Sequence, residues 1–230
     1  MKVTWLGQGG FLFVSNNFRL VVDPYMSDVL KDRFPRMIPF PVSLENLQPD
    51  ALFITHDHID HFDPEGVPQI IAAYPQCRCF APQKAFEHFA AVGADPANVE
   101  LMTIGKTVEA GPFKVTAVFA SHSDPTACGY IIEADGRKVW LSGDTLFDEA
   151  LFAPQMANLT DVFICINGKL GNMNCSEAVE CVRRLAPRRA LPMHIGLFAA
   201  NTADPAEFVD ACRAMNIDSF AMSAGVEFEL

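Results

Sequence analysis

The order of apolar runs predicts an α/β chain of two mixed β-sheets packed face to face, with helices on the outer faces. Three observations carry that expectation. A β-rich stretch followed by alternating helix and strand patterns occurs twice along the 230 residues. Each copy opens with a strand, a loop and a hairpin, turned by Asn16-Asn17 in the first and by Asp135-Gly136 in the second. An aspartate follows each hairpin, Asp23 and then Asp144. The chain therefore reads as one domain, 1–230, built from two similar halves of about 1–110 and 111–230.

In the first half, Val3 to Leu6 is strand-like and runs into a Gly7-Gln8-Gly9-Gly10 turn. A strand follows those glycines where a nucleotide loop needs a helix, so a tight turn near a functional site is the better reading. Phe11 to Ser15 and Arg19 to Val22 form the hairpin. Tyr25 to Pro49, with prolines at 24, 35, 39 and 41 around it and basic Lys31, Arg33 and Arg36, reads as an irregular surface excursion of the kind that lines pockets. Ala51 to Thr55 is a short buried strand. Pro64 to Tyr74 and Pro82 to Val92 are helix candidates, the second with Phe86, Phe89 and Ala90 on one face. Cys79 to Ala81, Val99 to Met102 and Lys106 to Glu109 are short strands.

In the second half, Phe113 to Ala120, Gly129 to Glu133 and Lys138 to Leu141 are strands. Asp148 to Ala157 reads as a short helix and Asp161 to Ile166 as a buried strand. Ser176 to Leu185 is a helix capped by Asn174 or Ser176. Arg189 to Met193 is a strand that delivers His194, and Pro205 to Met215 is the last helix. Ser219 to Ala221 and Val226 to Phe228 are expected to complete the sheet.

Half of the residues are hydrophobic and a fifth charged, which describes a well-cored globular chain. A net charge of -11 with no Lys/Arg-dense stripe argues against a binder of nucleic-acid backbone. The densest basic patch, Arg183-Arg184 with Arg188-Arg189, reads as a solvated helix face. No apolar run approaches the roughly 20 residues of a membrane span, and no targeting segment is legible. Seven cysteines without framework spacing suit reduced thiols and a cytoplasmic location. Cys77 and Cys79 read as buried thiols, since no second pair completes a zinc site.

The chemistry collects in LFITHDHIDHFD, Leu52 to Asp63. His56, Asp57, His58, Asp60 and His61 crowd the end of an apolar strand, a cluster that is costly in a core and unneeded on a surface. Imidazole and carboxylate are the donors that divalent transition metals prefer. His56 and His58, two apart, can share one ion. Asp60 and His61 lie past a turn and can face a second, while Asp57 points away and holds the loop or orients a ligand ring. His122, Asp144 and His194 also follow strand ends, so they are expected to converge on this loop. His88, alone in a helix, reads as structural or exposed.

THDHIDH, with His122 in ASHSD, Asp144 in SGDT and His194 in MHIG, resembles the metallo-β-lactamase superfamily across essentially the whole chain. WLGQGGF, VDPY, INGKLGNMN and PMHIGLFAANTADPAEF are similar to its L-ascorbate-6-phosphate lactonase-like group. The resemblance implies a four-layered αβ/βα sandwich with the site at one edge of both sheets. It implies one metal on His56, His58 and His122, a second on Asp60, His61 and His194, and Asp144 bridging them. Asp23 would stabilise the ligand loop from behind. Zinc is the default from the donors, the resemblance raises manganese, and iron is compatible.

Two such ions would keep net positive charge and bind a bridging hydroxide that attacks a carbonyl carbon or a phosphorus. Asp60 would orient that nucleophile or carry a proton. The expected activity is a metal-dependent hydrolase acting on a small anionic substrate, a lactone of sugar-phosphate type or a phosphodiester. Asn167, Lys169, Asn172 and Asn174 are candidate substrate contacts, as are Arg33 and Arg36; the same asparagines would also suit a turn and a helix cap. The competing readings are a metal-stabilised scaffold or binding protein and, against the charge, a nuclease. A homo-oligomer is left open.

Overall fold

A computed structural model of the chain describes residues 1–230. Strands β1 (Lys2–Gly7), β2 (Gly10–Ser15) and β3 (Phe18–Val22) form an antiparallel meander. The strap that follows contains one helical turn, α1 (Leu44–Leu47), and is otherwise irregular. Strands β4 (Ala51–Phe53), β5 (Arg78–Ala81) and β6 (Val99–Leu101) then add in parallel, linked by helices α2 (Gly66–Ala73) and α3 (Gln83–Ala91). The second sheet repeats this pattern. Strands β7 (Thr107–Ala110), β8 (Phe113–Phe119), β9 (Cys128–Ala134) and β10 (Arg137–Leu141) are antiparallel. Strands β11 (Asp161–Cys165) and β12 (Arg189–Met193) continue in parallel, with α4 (Cys175–Leu185) between them and α5 (Ala206–Ala214) after them. The last strand, β13 (Glu227–Glu229), returns to β1 and gives the first sheet its seventh member, against six in the second.

Both hairpin turns use left-handed backbone, with φ of 47° and 65° at Asn16-Asn17 and 53° and 71° at Asp135-Gly136. That geometry matches the twist of the flanking strands and is why Asn, Asp and Gly stand there. Alternation then sorts each strand. In β2, Phe11 and Phe13 enter the core between the sheets, while Leu12 points to the outer layer. Phe11 stacks on Phe163 across the sheets at 4.9 Å, and Tyr130 meets Phe53 edge-on at 5.3 Å. Each such ring contributes about 1.5–3 kcal/mol by leaving water. Outside the first sheet, Leu52 and Ile54 of the β4 segment pack with Val67 and Ile70 of α2 and with Ala85 and Phe89 of α3. Outside the second, α4 offers Ala178, Cys181 and Val182, and α5 offers Phe208 and Cys212. The result is four layers, helix–sheet–sheet–helix.

Four details differ from the sequence expectation. Residues 148–157 form two short 3-10 turns, Glu149–Phe152 and Pro154–Met156, because Pro154 interrupts the run. Ser219 to Ala221 is not a strand; Phe220 packs edge-on against Phe228 at 5.4 Å, and β13 alone completes the sheet. On α3 the core row is Ala85 and Phe89, four apart, whereas Phe86 is half-buried and Ala90 exposed. The first sheet takes β13 from the end of the chain, and β7, lying before residue 111, joins the second. The seven cysteines are free thiols, and no helix is long and apolar enough to cross a membrane.

Candidate metal centre

The ends of β3, β4, β8, β10 and β12 meet at one edge of the two sheets, so residues far apart in the chain arrive together. Asp23, just past β3, accepts hydrogen bonds from the Thr55 N–H at 2.8 Å, the Thr55 hydroxyl, and His61 Nδ1 at 2.7 Å. These bonds pin the start of the histidine loop to the neighbouring strand. His56 Nδ1 lies 3.0 Å from the Thr55 hydroxyl, whose own proton goes to Asp23. His122 Nδ1 lies 3.0 Å from the Gly171 carbonyl. With each Nδ1 donating, His56, His61 and His122 keep a lone pair on Nε2.

Those nitrogens fall into two groups. His56, His58 and His122 bring ligand-type atoms within 4.8 Å of one another, and so do Asp60, His61 and His194. Asp144 joins the groups. Its Oδ1 is 3.3 Å from His61 Nε2, while its Oδ2 is 3.1 Å from His194 Nε2 and 3.9 Å from His122 Nε2. A third grouping, Asp23 with His56 and His61, is also geometrically compact, but Asp23 is already engaged by Thr55 and the rear nitrogen of His61.

The buried atoms His61 Nε2 and Asp144 Oδ1 have no hydrogen-bond partner. An unsatisfied buried polar atom costs about 1–3 kcal/mol, and two facing each other in one centre are what a cation would satisfy. The donor set fits divalent ions in both number and type.

Electrostatics divides the centre. Burial, reinforced by neighbouring imidazoles, pushes His56 well below the ordinary histidine range and lowers His58. For His61 burial acts in the same direction, but Asp144, Asp23 and Asp60 outweigh it and hold the ring well above that range. His194 is raised against burial to about 9 by Asp144 and Asp60. Burial opposes ionisation of Asp144 as well, yet His194 and His61 keep it well below the usual carboxylate range.

The remaining expected residues have varied placements. Asp57 turns from the centre and accepts from His88 Nδ1 at 2.7 Å, while its N–H donates to Asp124. His88 is thus a loop anchor, stacked on Phe62 at 4.1 Å, with its partner supplied by another element. Asn172 donates to Asp144 Oδ2 at 2.9 Å and to Asn167, which donates to Asn201. Asn174 is occupied by the capping box of α4, as the turn-and-cap alternative required. Lys169 Nζ reaches the Ala200 carbonyl at 3.1 Å. Arg36 donates to the carbonyls of Tyr25, Ser27 and Ile38, and Arg33 lies over the Phe34 ring.

Sequence reasoning missed Asp63 and misread what Asn172 and the glycine turn do. Asp63 is buried and ties down the strap through the N–H groups of Met26 and Ser27. Asn172 orients the shared carboxylate Asp144. The β1–β2 turn presses on the centre so closely that a Cβ at Gly9 would fall 2.7 Å from His61 Cε1. A tight turn near the site was legible in the glycines; what it touches was not.

A family model described as "Beta-lactamase superfamily domain" matches residues 18–195. A UPF0173 metal-dependent hydrolase of Methanosarcina mazei is 30% identical over 248 residues, covering 100% of this chain and 99% of that protein. A UPF0173 protein of Pyrococcus furiosus is 29% identical over 211 residues, covering 90% and 89%. Among solved structures, Igni18, a metallo hydrolase from Ignicoccus hospitalis, superposes with a TM-score of 0.80 at 24% identity, covering 100% of this chain and 98% of that one. A possible metal-dependent hydrolase from Veillonella parvula gives 0.81 at 18%, covering 100% and 99%.

Proposed function

Because the chain belongs to the beta-lactamase superfamily and, within it, to the UPF0173 metal-dependent hydrolases, we propose that it hydrolyses a small lactone or related ester at a centre of two divalent cations. The observation that carries this reading is Asp144, whose two oxygens lie against histidines of both donor groups. His56, His58 and His122 would hold one cation, Asp60, His61 and His194 the other, with Asp144 shared. Bound cations would supply Lewis acidity, making hydroxide available near neutral pH and polarising the electrophile's oxygen.

The chain's own residues do the positioning. Asp23 and the Gly171 carbonyl fix the ring tautomers, and Asn172 holds Asp144. Burial opposes ionisation of Asp60, but His61 and His194 keep it far below the usual carboxylate range. It therefore acts as an acceptor that orients the attacking water and has little capacity to store a proton.

The surroundings favour a carbonyl substrate over a phosphodiester. Arg36 is engaged by backbone carbonyls, which leaves exposed Lys169, on a single bond, and exposed Arg33, over the Phe34 ring, as the candidate cations free to swing toward one anionic group. Three exposed apolar side chains flank the donors in sequence: Ile59 between His58 and Asp60, Leu146 after Asp144, and Leu170 beside Gly171. Leu170 is 61% exposed and has φ of 54°, a strained conformation whose exposed apolar side chain the protein's own packing does not use. We read these side chains as the wall for an apolar part of the substrate.

The test is a hydrolysis screen of lactones, sugar-phosphate lactones and cyclic phosphodiesters, with zinc or manganese restored to chelated protein. Lactone turnover that His58→Ala abolishes while the circular dichroism spectrum is retained supports the reading. Turnover of phosphodiesters alone removes the carbonyl assignment. No turnover of any class with both cations bound returns the chain to a metal-stabilised scaffold.

A further inference from the structure

The β1–β2 turn places a fully buried glutamine against the half of the centre built from Asp60, His61 and His194. Gln8 has φ of 51°, in the left-handed region, and its backbone carbonyl accepts the N–H of His194 at 3.0 Å and Trp5 Nε1 at 3.1 Å. His194 is itself left-handed, with φ of 60°. Two non-glycine residues in that region, bonded to each other at the edge of a donor cluster, hold strain of the kind that marks functional sites. The turn reaches this position because Gly9 and Gly10 lack side chains; a Cβ at Gly10 would fall 2.9 Å from the Asp23 carbonyl oxygen.

The Gln8 carboxamide extends the same contact. Its Nε2 donates to Asp60 Oδ2 at 3.0 Å and lies 3.1 and 3.2 Å from Nε2 and Nδ1 of His194, packed against the imidazole ring and not in line with either nitrogen. Its Oε1 is buried and without a partner. A glutamine present only to fill space would place both ends on protein partners, or would be replaced by an apolar side chain at no cost. An amide with its N–H on a carboxylate donor and a spare oxygen in the same polar centre has the chemistry of a group serving a cation.

We propose that Gln8 is a positioning residue for the second cation: its carboxamide holds Asp60 and His194 in their ligating arrangement, so occupancy of that position depends on it. This rests on the two-cation reading above. It predicts an asymmetric defect, because Gln8 touches neither His56, His58 nor His122.

The experiment titrates metal-free wild type, Gln8→Met (similar in length, without polar ends) and Gln8→Ala with Mn²⁺ and with Zn²⁺. Calorimetry reads the affinities, and the electron paramagnetic resonance of unbound Mn²⁺ counts the sites. Wild type should bind two ions. Both variants should retain the first affinity within about twofold and lose roughly 10–100-fold in the second, the scale for removing a group that orients a ligand. Equal affinities in all three proteins overturn the proposal. A parallel loss of both ions also overturns it, since that is the signature of a general packing defect. A wild type that binds one ion sinks the two-cation reading and this inference together, whereas two ions with unaltered variants sink the inference alone.

Discussion

The two donor groups use the same imidazole to opposite electrostatic effect. His56 and His58 sit among other imidazoles, and burial lowers both. His61 and His194 face Asp60 and Asp144, with Asp23 behind His61, and are held protonated more strongly than a free histidine. His56 and His58 therefore offer neutral nitrogens at neutral pH, whereas His61 and His194 would have to release protons to a cation. Softness differs too: an all-imidazole group favours zinc, and a carboxylate-bearing one also accepts harder ions such as manganese.

The most severe way to break the pairing is Asp144→Asn, since Asp144 sets its two oxygens against histidines of both groups. Turnover should fall on the order of a thousandfold, the scale for losing a preorganised electrostatic contact. Bound metal should drop from two equivalents toward one in elemental analysis. Turnover within tenfold of wild type would mean that the groups work independently.

Proton release sharpens the contrast. Titrated near pH 7.5 in buffers of different ionisation enthalpy, the first equivalent should release almost no protons from His56 and His58, and the second about two, from His61 and His194. The same shifts govern the metal-free fold. His61 and His194 have folded pKa values above their ordinary 6.5, so their stabilisation is full below pH 6.5 and is lost as pH rises through about 9 for His194. His56 and His58 have folded values below 6.5, so the unfolded chain takes up protons first and stability falls as pH drops under 6.5. Melting temperature without metal should therefore peak near pH 6.5, and the gain on adding metal should widen toward pH 9. A flat metal-free profile would remove the electrostatic asymmetry.

The two groups also differed in legibility. His56 and His58 are local partners, and their spacing at the end of an apolar strand announces a shared ion. Asp144 and His194 were placed by their strands, whose hairpin turns and apolar alternation are short-range signals. Gln8 was not legible as part of the centre, because its partners Asp60 and His194 are 52 and 186 residues away and a glutamine in a glycine turn carries no ligand signature. The asparagines of the 166–174 loop were ambiguous for another reason. Amides that suit a substrate also suit a cap, and folding assigned Asn174 to α4 while leaving Asn172 to Asp144. Ser219 to Ala221 misled because a short apolar run looks alike in a strand and in a packed loop.

The anchors behind the two groups supply a finer test. Asp23, buried, bonds His61 directly and reaches His56 only through the Thr55 hydroxyl, so Asp23→Asn should cost the second group the more, about 10–100-fold in cation affinity. The first group's loop is tied instead through Asp57 to His88, which is about one-third exposed. That bond competes with water, and His58 reaches its neighbours His56 and His122 without it. His88→Ala should therefore lower stability by only about 1 kcal/mol and the first affinity by less than about tenfold. Denaturant melts and metal titration on the two variants rank the anchors. A His88 defect as large as that of Asp23 would show that the exposed end of the loop, and not its buried root, sets the geometry of the centre.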